Sequence, residues 1–456
     1  MKRFAALALA ATALCLALPY AAAAPEAASA PASTADIVES LKPYAAASKA
    51  CRDVLEIAAT LSSQGKWKSA YQAIDDFDKA NADPFALAMK TSLVLRGAVR
   101  SDMHRSFGLA DLEEGQDLDS LRKGEGDYTP IPFDPPALAD AQASNGVAPP
   151  GILSKMLGDY YYDVLGRFSG QWALSDDEIL AKIAENYAKA YGVGVFDAAS
   201  LLNHAEALVR LNRGDESDPI YRKAIELNPK NANALYSYAM SLAFRGKKAE
   251  ALLEVDTAID AYGEDPSRIN AIAFGARTAA ELGDDAKAQA YFAIADKDYP
   301  NSPTPGILRH MIAVETGNGA AASAAADALV ASFGSNPSVV RTLVSTWYSA
   351  GNTAEAREFL QRSIAKGGED MAVATLNFYL AVLLSQGSPI DADKAVALTA
   401  LDEAESRFKT ALGPENEVYD AIAQIRSALQ APAPAPDAAS AETPADEAPA
   451  DEAPAK

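Results

Sequence analysis

The residues of this chain best equipped for chemistry are few and widely separated. Its three histidines, His104, His204 and His310, stand about a hundred residues apart. A helical metal pair needs a second ligand one turn away, and none has a histidine four residues on. Cys51 has no CxxC partner, and a solitary cysteine in a helix is expected to be buried and inert. Gly166-Arg-Phe-Ser169-Gly170 has the wrong spacing for a nucleophile elbow. Gly192-Val-Gly194-Val-Phe-Asp197 lacks the third glycine and the preceding strand of a dinucleotide loop; it reads as the end of one helix and an N-cap at Asp197 for the next. Asp111, Glu113, Glu114, Asp117 and Asp119 crowd acids together without the spacing of an EF-hand, so a solvated acidic helix over Asp111 to Arg122 is expected. No nucleophile–base pair or metal constellation is legible, and a non-catalytic protein without cofactor or metal is the expectation. Recognition chemistry is better represented. Tyr160, Tyr161 and Tyr162 point about 100° apart on a helix, so at least one should face a groove or solvent.

Charge narrows the partners. The 456 residues carry 62 Asp+Glu against 40 Lys+Arg, a formal net charge of −22. That opposes binding to nucleic acid and to anionic lipid. Lys2 and Arg3, the apolar run Phe4 to Leu18 and the small residues Ala21 to Ala24 read as a signal peptide over 1–23. Leu14 before Cys15 does not suit a lipobox, and removal of 1–23 leaves Cys51 alone, so no internal disulfide is expected. No later run suits a membrane span, so a soluble, exported, periplasmic or envelope-associated bacterial protein is expected.

The elements that would position these residues are helices. Residues 24–36 form an Ala/Ser/Pro linker, and 37–199 a helical region broken by a Pro-rich insertion at about 108–150. Residues 200–430 form a repeat array, and the acidic Pro/Ala-rich tail 431–456 cannot offset its ordering entropy. No stretch alternates long enough to suggest a sheet. In the array Gly214, Gly246, Gly283, Gly317, Gly351 and Gly387 recur at spacings of 32, 37, 34, 34 and 36. Leu235, Tyr238, Ala239 and Leu242 make one helix face before Gly246; Ala251 and Ala258 lie on a second helix after it. Ala276, Ala288, Phe292 and Ala295 repeat this around Gly283, and Ala224-Ile-Glu-Leu-Asn-Pro229 closes an earlier unit. An N-terminal copy runs through Ala58, Gly65, Trp67, Ala70 and Ile74.

This pattern resembles the tetratricopeptide repeat (TPR) family, over roughly 200–410 and plausibly 51–80. The resemblance implies an all-α fold: a TPR-type α-solenoid of antiparallel helix pairs forming a right-handed superhelix. The unit around Gly214 is about two residues short in its second helix, His310 replaces a small residue, and Ser388 to Asp391 insert about three residues. The family implies that residues ten, six and three before each glycine line a concave groove. Those are His204, Leu208 and Leu211; Tyr236, Met240 and Ala243; Ala273, Arg277 and Ala280; Arg341, Ser345 and Tyr348; and Asn377, Ala381 and Leu384, with Asn233 and Asn270 on the same strip. From these, His204, Asn233, Tyr236, Met240, Asn270, Arg277, Arg341, Tyr348 and Asn377 are the candidate partner-binding residues. The strip lacks the Lys of a clamp for acidic C-termini. It suits a protein or peptide partner in the cell envelope; a small-molecule ligand, bound by a TPR component of an envelope transporter, is the alternative.

Overall fold

The computed structural model describes residues 34–124, 128–386 and 389–431. The expected signal peptide with Cys15, most of the linker, Gly387 and nearly all of the acidic tail lie outside the described residues. The chain divides into two compact units between Ser302 and Pro303.

The first unit opens with α1 (Thr34–Ser40), α2 (Lys49–Ser63), α3 (Trp67–Asn81) and α4 (Pro84–Gly97). Residues just before the Pro-rich insertion supply β1 (Arg100–Asp102) and the start of β2 (Ser106–Leu109), and the insertion itself α5 (Leu118–Lys123), β3 (Thr129–Pro132) and α6 (Pro135–Ser144). Four helix pairs follow. They are α7 (Gly151–Phe168) with α8 (Asp176–Gly192), and α9 (Ala198–Arg210) with α10 (Gly214–Leu227). Then come α11 (Ala232–Phe244) with α12 (Lys248–Tyr262), and α13 (Arg268–Glu281) with α14 (Asp285–Asp298). Polar side chains start the helices: Ser175 and Asp197 close capping boxes with Glu178 and Ser200, and Asn231 caps α11. Asp197 thus plays the capping role read from sequence.

The insertion differs from the irregular stretch expected. Its strands form an antiparallel sheet in the order β1-β2-β3. They are three or four residues long, too short for a visible alternation. β3 contains Pro130 and Pro132, which an edge position tolerates because an edge strand leaves backbone donors unpaired. The acidic helix is also shorter than expected. Asp111 accepts hydrogen bonds from the Ser69 amide (3.0 Å) and hydroxyl (2.5 Å), and Asp117 caps α5.

The second unit consists of α15 (Thr304–Glu315) with α16 (Gly319–Phe333), and α17 (Pro337–Ser349) with α18 (Thr353–Lys366). It ends with α19 (Asp370–Leu384), α20 (Asp391–Leu412) and the cap α21 (Val418–Gln430). Trp347, Phe359, Leu343 and Leu401 form its buried core. His310 occupies a small-residue position there. Its Nδ1 lies 3.1 Å from the Ala322 carbonyl and its Nε2 3.3 Å from that of Leu343, with the Trp347 ring 4.3 Å away.

The phase of the repeat is set by the left-handed residue between paired helices. Gly246, Gly283, Gly317 and Gly351 hold φ between 71° and 80°. In the α9/α10 pair that position is filled by Asn212, at φ 59°, and Gly214 begins the next helix. Asparagine tolerates this region better than most side chains. Gly214 serves packing instead: a Cβ there would lie 2.4 Å from Cδ of Arg245, which is held by Asp215 and Asp218. Counting from Asn212 makes the step to Gly246 34 residues (246 − 212) and removes the apparent shortening. It aligns buried Ala205 with Ala239 and Ala276, Ser217 with Ala251 and Ala288, and Ala224 with Ala258 and Ala295.

Candidate peptide-binding surface

A two-residue slip rotates a helix face by about 200°. His204 and Leu208, expected in the groove, are therefore buried. The His204 ring packs 6.1 Å from that of Tyr187, its Nδ1 has no hydrogen-bond partner among the described residues, and burial, aided by Arg213, pulls its pKa down to about 4. Leu202, Glu206 and Val209, all half-buried, take the strip positions of α9.

Three rungs of the first unit are tied together. On α9, Glu206 accepts from the Ser237 hydroxyl of α11 (3.0 Å) and from the Tyr162 hydroxyl of α7 (2.7 Å). On α11, Tyr236 meets the Phe274 ring of α13 edge-on at 5.7 Å, and its hydroxyl donates to the Asn270 carbonyl at 3.4 Å. Asn233 accepts from the Tyr262 hydroxyl at 2.8 Å. Arg277 on α13 pairs with Glu281 at 3.2 Å. Asn233 and Asn270 are exposed, while Tyr236, Met240 and Arg277 are half-buried. Six residues before successive turns the row reads Glu206, Met240, Arg277: acid, apolar, base.

In the second unit Arg341 and Tyr348 are exposed on α17, with half-buried Ser345 between them. Asn377, expected beside them, is buried in α19, and its amide donates to the Val373 carbonyl at 2.9 Å. Ala381 and Leu384 are buried with it. The face of α19 is turned so that Phe378, Tyr379 and Val382 are half-exposed instead. Burial raises the Tyr379 pKa, and the charge of Arg341 opposes the rise.

Repeated helix pairs in this register are matched by two family models, both described as tetratricopeptide repeat, over residues 220–252 and 311–370. The chain is a tetratricopeptide-repeat protein. Such repeats form a protein-interaction scaffold. No curated protein matches the chain. Among solved structures it is similar to a TPR protein from Parabacteroides merdae, at 16% identity over 60% of this chain and 98% of that one, with TM-score 0.35. It is also similar to pilF of Pseudomonas aeruginosa (16% identity, 48% and 96% coverage, TM-score 0.32) and to yeast Tom70 (14% identity, 86% and 84% coverage, TM-score 0.36).

The inserted sheet covers part of this TPR scaffold. The Tyr160 hydroxyl donates to the His104 carbonyl (2.7 Å), and the Tyr161 ring meets that of Trp172 edge-on. Tyr160 and Tyr161 are buried and Tyr162 reaches Glu206, so the three tyrosines divide between core and strip. The same region holds a constellation that sequence reading missed. His104 Nδ1 lies 2.7 Å from the Ser101 hydroxyl and Nε2 lies 2.6 Å from Asp163. The order Ser–His–Asp is that of an acyl-transfer relay, with the two ring nitrogens exchanged relative to the serine-protease arrangement. Asp163 is also bound by Arg167 at 2.8 Å. Burial pushes its carboxyl up, but His104 and Arg167 outweigh that and hold it below the usual range. The imidazole is enclosed by Phe107, Tyr160 and Phe168. This geometry ties the β1–β2 hairpin to α7 and leaves the ring little freedom to carry protons to a substrate. The 59-residue gap between His104 and Asp163 gave no local signal. Cys51 is buried, and burial raises its thiol to about 12.

Proposed function

We propose that this TPR protein is a non-catalytic scaffold of the bacterial cell envelope. It holds an extended or helical segment of a partner protein against the strip formed by α9, α11 and α13. The observation that carries this reading is the row Glu206–Met240–Arg277, on helices tied to one another through Ser237–Glu206 and Tyr236–Asn270. It offers acid, apolar and basic contacts in sequence, flanked by the exposed amides Asn233 and Asn270. The leader-like residues 1–23 support export.

Panning random nonapeptides with blocked termini over the chain lacking residues 1–23 tests the groove. Selected peptides should bind the Met240→Asp variant at least about tenfold more weakly, while Leu253→Asp, on an exposed site of α12, leaves binding unchanged. Equal loss in both variants would count against the strip. A reporter phosphatase active only outside the cytoplasm, fused after residue 36, tests export; an inactive fusion would contradict it.

A cleft of about 880 Å³ lined by Tyr44, Ile152, Lys155, Met156 and Phe196 favours the second reading, a solute-binding TPR component of an envelope transporter. Both cations that line it are already engaged, Lys42 by Glu39 at 2.5 Å. Lys155 is bound by Asp159 at 2.9 Å and Asp197 at 3.1 Å, so the cleft offers a ligand apolar walls and a neutralised floor. A metabolite screen by thermal shift distinguishes the two, because ligand binding to the native state raises the melting temperature.

A further inference from the structure

We propose that Glu206 is a subsite for a lysine or arginine side chain of the bound partner segment, an inference that rests on the strip being a peptide groove. Glu206 is half-buried at the strip position of α9. One carboxylate oxygen accepts from Ser237 and the other from Tyr162, so both are oriented by neutral hydroxyls. A carboxylate offers about four lone-pair sites, which leaves acceptor capacity for an incoming donor. Among the described residues no Lys or Arg forms an ion pair with it. Among other partly buried acids of the same unit, Asp159 keeps Lys155, Asp163 keeps Arg167, and Asp218 keeps Arg245 and Lys247, whereas Asp111 and Glu254 form no ion pair among the described residues. The groups that face Glu206 from neighbouring helices are Tyr162 of α7 and Ser237 of α11, with Tyr221 of α10 nearby; exposed Arg210, one turn along α9, acts through space.

A folded protein has no packing need for an ionised carboxylate in this place. Burial raises the Glu206 pKa despite the two hydroxyl donors and Arg210, so the native fold stabilises its charge less than water does. A cationic side chain arriving from the groove supplies the missing charge and a third donor, and a charge-assisted bond of this kind is stronger than a neutral one. At the equivalent position of α13 the charge is already balanced by the Arg277–Glu281 pair. The cation of the ligand is therefore placed at the α9 end of the row.

The test uses peptides selected by the wild-type chain and by the Glu206→Gln and Glu206→Lys variants. The wild type should enrich Lys or Arg at one fixed position. Glu206→Gln should fold with an unchanged or higher melting temperature and bind those peptides at least about tenfold more weakly. Glu206→Lys should enrich Asp or Glu at the same position. Peptides that bind the strip without a preferred cation, or bind Glu206→Gln equally well, would overturn the inference and leave the groove intact. Failure of the wild type to enrich any peptide would overturn both. A Glu206-dependent melting shift with spermidine or calcium, without a cation preference in the peptides, would assign the site to a free cation and also overturn the proposal.

Discussion

The strip of residues 34–302 and the strip of residues 303–431 rest on the same turn geometry and carry opposite unpaired charges. In the first, Glu206 forms no ion pair among the described residues. In the second, Arg341 is exposed and forms no ion pair among the described residues. The buried positions of the two units are alike because two helices must approach closely at Ser217, Ala251 and Ala288 in one and at Ala322 and Ala356 in the other. The strip positions are released from that demand, so their chemistry diverges. Buried histidines show the same freedom on a smaller scale. His310 reaches two backbone carbonyls, whereas Nδ1 of His204 has no partner among the described residues.

The comparison can be broken at its core first. Trp347→Ala should destabilise the second unit by about 3–5 kcal/mol in urea unfolding, because the ring is almost wholly buried against His310 and Phe359. A cost below about 1 kcal/mol would contradict the packing described. His204 gives the next effect. Its folded pKa is about 4 against 6.5 for the free side chain, so the unfolded chain takes up a proton that the folded chain refuses. Its contribution to stability is full above pH 6.5 and is lost as pH falls towards 4, by up to about 3 kcal/mol. His204→Phe should flatten that part of the stability profile; an unchanged slope would show that His204 is not the source.

Smaller effects test the phase of the repeat. Asn212→Val should cost about 1–2 kcal/mol, because a β-branched residue is strained at positive φ, while Asn212→Gly should be neutral within a few tenths. A reversed order would remove Asn212 as the turn residue. Glu206→Gln should have the smallest effect, a modest gain in melting temperature at pH 7. A carboxyl whose folded pKa is raised contributes stability below pH 4.5 and loses it as pH rises through the folded value, so the gain should shrink on acidification. A loss of stability at pH 7 would contradict the reading of Glu206 as an unbalanced charge.

The helix pairs were legible because small residues and glycines recur at fixed spacing. The positions counted as strip are half-buried where glycine itself occupies the left-handed turn at Gly246 and Gly283. The strip was misread at α9, because asparagine takes the turn and the nearby glycine answers to the Arg245 side chain instead. That slip put His204 in place of Glu206. Asn377 was counted from Gly387, which lies outside the described residues, and the helix buries it. The Ser101–His104–Asp163 tie was illegible because it depends on a hairpin of short strands docking on a distant helix. If it is a structural tie, a fluorophosphonate probe should leave Ser101 unlabelled; covalent labelling there would reopen the case for catalysis.

The claim that the α9–α11–α13 strip, phased from Asn212, is the ligand surface is tested most directly by photo-cross-linking. Benzoylphenylalanine would be placed singly at Leu202, Met240 and Leu253, each variant mixed with one selected peptide. The account predicts cross-links from Leu202 and Met240 and none from Leu253. Cross-linking from Leu253 alone, or from all three equally, would contradict it.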